Sequence, residues 1–129
     1  METRKHLAAE KKLCGSHNCA QAVACTYCDL VGLPEQIALD IAGAYGSGMG
    51  SMEGTCGAVV GAGIIVGMAT KDRHISRSRM KELMDKFQER NGATQCRVLK
   101  GVDTGTPLRD CSEYVADAAE LLEEMLFSV

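Results

Sequence analysis

The chain has 129 residues, 46% hydrophobic and 24% charged, enough for one hydrophobic core and hence for a single helical domain over 1–129. A formal net charge of -3, with Lys and Arg scattered among acids, argues against nucleic acid as a partner. Three Tyr, two Phe and no Trp leave little for base stacking. The unusual feature is cysteine, of which there are seven.

The opening METRKHLAAEKKL is charged and lacks the apolar stretch of a secretory leader, so the expected compartment is the reducing cytoplasm. Residues 1–13 are expected to form an arm, flexible or helical. In that setting an odd number of cysteines points to metal or redox chemistry rather than a disulfide framework. The competing reading treats them as small buried hydrophobes.

Next comes CGSHNC (14–19), which gathers Cys14, His17 and Cys19 as soft ligands in one turn, although its spacing matches no zinc signature. NCAQAVACTYCDLV (18–31) carries Val23, Tyr27, Leu30 and Val31 at helical spacing, with Ser16 or Asn18 as cap and Gly32 as stop. On a helical wheel Cys19 falls on that core side. Cys25 and Cys28 fall near 180° to 240° away, a face open to solvent, a second subunit or a metal. The C-T-Y-C pair lies within a helix, which weakens a thioredoxin analogy, and is followed by Asp29 where a c-type haem site has histidine, which argues against haem attachment.

PEQIALDIAGAY (34–45) predicts a shorter helix with Pro34 at its first position and Ile37, Ala38 and Ile41 facing inward. The loop GSGMGSMEGTCG (46–57) follows. No strand precedes it and it lacks the Gly-Lys-Ser/Thr ending, so it is no phosphate cradle. Instead it leads without bulky side chains to Cys56 at the mouth of a helix over 56–69, with Thr55 as expected cap. Free amides and the helix dipole there favour a thiolate, and Gly54 and Gly57 leave room for a cofactor, substrate or partner. Gly57, Gly61, Gly63 and Gly67 cost up to about 1 kcal/mol each relative to alanine, which predicts close approach by a neighbouring helix. That apolar run is too short to span a bilayer, which needs roughly 18 residues.

SRSRMKELMDKFQERNG places Met80, Leu83, Met84 and Phe87 on one face, with Ser76 or Ser78 as cap and Gly92 as stop. After a loop or short turn around CRVLKGVDTGTPL, a last helix, DCSEYVADAAELLEEMLF, buries Tyr114, Val115, Ala118, Leu122, Met125 and Leu126. No alternating strand pattern competes. The expected fold is an all-α compact bundle of about five main helices around a central glycine-rich one.

NCAQAV, YGSGMGSMEGTCGAVVGA, Cys96 in QCRVL and Cys111 before the last helix together resemble the C-GCAxxG-C-C family of redox-active proteins. CGAVVG (56–61) stands for that family's cysteine-glycine-alanine-x-x-glycine motif. The resemblance runs from about Asn18 to Leu122 and implies a small helical redox protein whose four characteristic cysteines are Cys19, Cys56, Cys96 and Cys111. Cys14, Cys25 and Cys28 lie outside that pattern. All four characteristic positions fall at predicted helix termini, and a single convergent site is expected.

Three functions stay open. The four cysteines bind an iron-sulfur cluster or another thiophilic metal and pass electrons; or they cycle between dithiol and disulfide, with Cys56 as attacking thiolate; or the chain is a non-catalytic binding module with buried or zinc-stapled cysteines. The first two call for a redox partner protein or a small thiol. A homodimer is the expected assembly.

Overall fold

The computed structural model describes residues 2–127. Among them the chain forms seven α-helices: α1 (Lys5–Leu13), α2 (Cys19–Tyr27), α3 (Glu35–Ala42), α4 (Gly57–Thr70), α5 (Arg73–Asn91), α6 (Cys96–Leu99) and α7 (Cys111–Leu122). A 3-10 turn extends α2 over Cys28–Val31, and a π turn extends α7 over Glu123–Phe127. The all-α class holds, while the count of about five does not. The arm is the ordered helix α1, and α6, at four residues, is too short to show a helical period.

The strongest starts have side-chain caps. Asn18 Oδ1 accepts the Gln21 N–H at 2.7 Å while Gln21 Oε1 accepts the Asn18 N–H at 3.0 Å, a reciprocal box that fixes where α2 begins. Asp72 caps α5 through His74 N and Ile75 N, a few residues ahead of the expected Ser76 or Ser78. Asp110 and Glu113 form a second box at the start of α7.

Helix α4 is apolar on every side, as a helix must be that is surrounded by others, and it packs against α2, α5 and α7. The predicted close approach is real at two of its glycines. A Cβ on Gly61 would stand 3.0 Å from Ala20 Cα and closer still to the Ala20 carbonyl oxygen; one on Gly57 would stand 2.9 Å from the Tyr45 carbonyl. Gly63 meets only the flexible end of Met80, and Gly67 meets nothing within 4 Å.

Two cores result. The larger joins α2, α4, α5 and α7 through Val23, Tyr27, Val59, Ile65, Leu83, Phe87, Tyr114 and Leu122. The smaller lies between α2 and α3, where Ala20, Ala24, Cys25, Cys28, Ala38 and Ala42 pack small side chain on small side chain. That second core corrects two expectations. Cys25 and Cys28 are buried by α3, at 5% and 4% exposure. Ile37 and Ile41 stand half out in solvent, because the alanines one position along let α3 lie closer to α2 than isoleucines would.

The buried Glu123 fastens α1 to the rest. Its carboxylate accepts the Thr3 hydroxyl at 2.6 Å and the Arg4 N–H at 2.6 Å, and takes a third hydrogen bond from the Tyr27 hydroxyl. A carboxylate facing the free amides of the first turn offsets the cost of its own burial. Arg4 then pairs with Asp29 at 2.7 Å, so the arm is held to α2 as well.

Candidate functional site

Two short backbone strips position the first pair of sulfurs. The Cys56 N–H donates to the Thr94 carbonyl at 2.7 Å and the Cys96 N–H to the Gly54 carbonyl at 3.0 Å, with Thr55 and Gln95 opposed as an antiparallel bridge. Cys56 and Cys96 therefore leave one shared ladder, Cys56 as the N-cap of α4 and Cys96 as the first residue of α6. Thr55, the expected cap, is engaged in the bridge instead. The glycine loop folds over this ladder: a Cβ on Gly48, at φ +57°, would stand 2.5 Å from Cys96 Cβ and 3.3 Å from its Sγ. Only glycine fits there, on both conformation and space.

Cys19 opens α2 against the start of α4, where a Cβ on Gly57 would lie 3.2 Å from Cys19 Cβ. Cys111 opens α7, and Tyr114 ties that start to the end of α6: its hydroxyl donates to Leu99 O at 3.0 Å and accepts the Arg109 N–H at 3.0 Å. All four cysteines thus stand at helix starts, and each lies within electrostatic reach of at least two of the others. Cys19, Cys56 and Cys96 are buried, at 6%, 5% and 4% exposure, whereas Cys111 is half-buried.

The four differ sharply in acidity. A hydrogen bond from Cys19 draws the Cys111 thiol down to about 6; Lys100 and Lys12 add to this, while burial and Asp110 oppose it. The same contact, with burial next, pushes Cys19 far up. The two thiols therefore move in opposite directions, Cys111 down and Cys19 up. Cys56 is pushed up to about 11, because its burial outweighs the amides of Ala58 and Val59 at the helix start. Burial also raises Cys96. Burial thus reverses the direction that the helix dipole favours at Cys56, and the depressed thiol of the four is Cys111, beside Cys19, Lys100 and Lys12.

Beside the glycines there is little free space: Gly54 abuts Met49 and Gly48, and Gly57 abuts Tyr45, Cys19 and Ala20. The opening lies on the other side, where Cys111 borders a cavity of about 390 Å³ that Lys12 and Lys100 also line. Those two lysines were not picked out from sequence, for Lys12 ends an apparently solvated arm and Lys100 follows a helix too short to recognise.

Cys14 and His17 stand apart as an exposed relay through the Ser16 hydroxyl, 3.1 Å from Cys14 Sγ and 2.6 Å from His17 Nδ1. Ser16 holds the Cys14 thiol below its usual range. Among the described residues, no group of three or more His, Cys, Asp or Glu side chains is arranged to hold a metal ion, nor is any helix long and apolar enough to cross a membrane.

The chain is thus an all-helical protein with four cysteines at helix starts. The family described as "Putative redox-active protein (C_GCAxxG_C_C)" matches residues 17–125, and the chain belongs to it. No curated protein and no solved structure gives a significant match.

Proposed function

We propose that the protein is a thiol-disulfide redox protein that cycles between a Cys19/Cys111 dithiol and a Cys19–Cys111 disulfide, with Cys56 and Cys96 as the sulfurs behind them. The observation that carries this reading is the placement of Cys111, half-buried at the start of α7 on a cavity that Lys12 and Lys100 line, with the buried Cys19 thiol near enough to shift its acidity. That is the division of labour thiol-disulfide exchange requires. Cys111 attacks a sulfur of an incoming disulfide, forming a mixed disulfide and releasing one thiolate. Cys19, on losing its proton to solvent, attacks Cys111 Sγ and releases the second. Two cysteine thiols lose two electrons and two protons, and the partner disulfide becomes two thiols. A reduced partner protein or small thiol drives the cycle in reverse.

Reduced full chain treated with diamide under denaturant-free conditions, then alkylated and peptide-mapped, should lose two thiols and yield a Cys19–Cys111 link. Links confined to other cysteines, or an unchanged thiol count, would defeat the proposal. So would anaerobically purified protein in which these sulfurs hold iron or zinc and resist alkylation, the outcome that favours an electron-transferring metal centre.

A further inference from the structure

The cavity at Cys111 has a sign. Lys12 reaches it from the end of α1 and Lys100 from the end of α6; both stand within electrostatic reach of Cys96 and Cys111, and neither forms an ion pair among the described residues. The other charged groups that line it are already engaged. Arg109 bonds Asp117 and Asn91 and lies near Glu113. The Asp110 carboxylate accepts the Ser112 N–H at 2.9 Å and the Ser112 hydroxyl at 2.6 Å. Two ammonium groups are left facing the space in front of the sulfur, with Leu13 and Pro107 supplying apolar lining.

A cavity of about 390 Å³ lies at the lower end of small-molecule pockets, roughly 300 to 1,000 Å³. A neutral oxidant as small as a peroxide needs neither that volume nor two cations. A compact disulfide bearing carboxylates uses all three features: its S–S bond meets Cys111, its carboxylates meet Lys12 and Lys100, and its carbon skeleton meets the apolar lining.

We propose that this cavity is the binding site for a low-molecular-weight, carboxylate-bearing disulfide, or in the reverse direction for the corresponding thiol, recognised by Lys12 and Lys100 in front of Cys111. This rests on the Cys19/Cys111 cycling reading and names its substrate class. The exchange balances as one ligand disulfide plus two cysteine thiols giving two ligand thiols plus the Cys19–Cys111 disulfide. The first ligand thiolate released takes its proton from water, and the second takes the equivalent of the proton Cys19 gave up.

The test uses the reduced full chain and three probes: oxidised glutathione (anionic), 2-hydroxyethyl disulfide (neutral) and cystamine (cationic). Each oxidation rate is divided by that probe's rate with a simple free thiol, to remove intrinsic reactivity. At low salt oxidised glutathione should outpace cystamine by about tenfold or more, with the neutral probe between. The ratio should collapse toward one in the double variant Lys12→Gln, Lys100→Gln and in ~1 M salt. A ratio near one in the unaltered chain, or one that the double variant leaves intact, overturns the proposal. The Cys19→Ala variant separates this from the cycling reading, since it traps the mixed disulfide at Cys111. If diamide fails to join Cys19 to Cys111 yet trapping keeps its charge preference, the cavity assignment stands and the cycling reading falls.

Discussion

Helix α2 and the turn that extends it carry cysteines toward two different surroundings. Cys19, at its first residue, packs against the start of α4 and has Cys111 and Lys12 close by. Cys25 and Cys28, two turns on, are sealed against α3 among alanines. Burial pushes Cys25 up to about 11, with the neighbouring Cys28 adding to the rise, and burial raises Cys28 as well. Both regions are rich in sulfur. They differ in cations and in solvent access, and those properties decide which sulfur reacts.

The widest separation should appear in alkylation rates. At pH 7 a thiol near 6 is about nine-tenths ionised, whereas one near 11 is ionised to about one part in ten thousand. The lower intrinsic nucleophilicity of the more acidic thiolate returns part of that factor, which leaves about thirtyfold to ninetyfold. Iodoacetamide should therefore label Cys111 at least about thirtyfold faster than Cys25, and faster than Cys28, in the native chain. Peptide mapping after brief exposure checks this, and equal labelling of the three would erase the contrast.

A second experiment moves the frame without removing a sulfur. Gly61→Ala drives a methyl group into the Ala20 backbone and should cost about 2–3 kcal/mol in denaturant unfolding. Because Ala20 adjoins Cys19, Cys111 labelling should slow as well. Gly67→Ala, where nothing lies within 4 Å, should instead stabilise the protein by about 0.5–1 kcal/mol.

The pH profile tests the thiol pair itself. The Cys111 thiol is depressed, so its labelling rate should be flat at and above neutrality and fall as pH drops through about 6. Cys19→Ala removes the hydrogen-bond donor, which should shift the midpoint upward toward the ordinary thiol range; Lys12 and Lys100 would hold back part of that shift. An unmoved midpoint would mean that the lysines alone set the acidity. The smallest effect belongs to the sealed pair: Cys25→Ala should cost about 1 kcal/mol in stability through lost burial and leave the Cys111 rate alone.

Much of this was legible in the sequence because it is written locally. Helical spacing marked the core faces around Val23, Leu83 and Phe87, glycine spacing marked a close helix approach that holds at Gly57 and Gly61, and the sequence motifs pointed to the family that matches residues 17–125. What escaped depends on distant partners. The wheel placed Cys25 and Cys28 opposite the core face, but a wheel cannot show that a second helix covers that side. The helix dipole favoured a thiolate at Cys56, yet burial, a tertiary property, reversed the sign. Lys12 and Lys100 come from separate elements and meet only in the folded chain.

The bridge between Thr55 and Gln95 divides the four cysteines two and two. Cys19 and Cys56 belong to the part of the chain before the crossing or at it, Cys96 and Cys111 to the part that returns. In an unfolded chain each sulfur is an isolated thiol of ordinary acidity, and the depressed Cys111 thiol arises only where the fold brings Cys19, Lys12 and Lys100 to it from separate elements. The fold serves as its own safety catch, keeping an activated thiolate from existing before there is a pocket to govern what it meets.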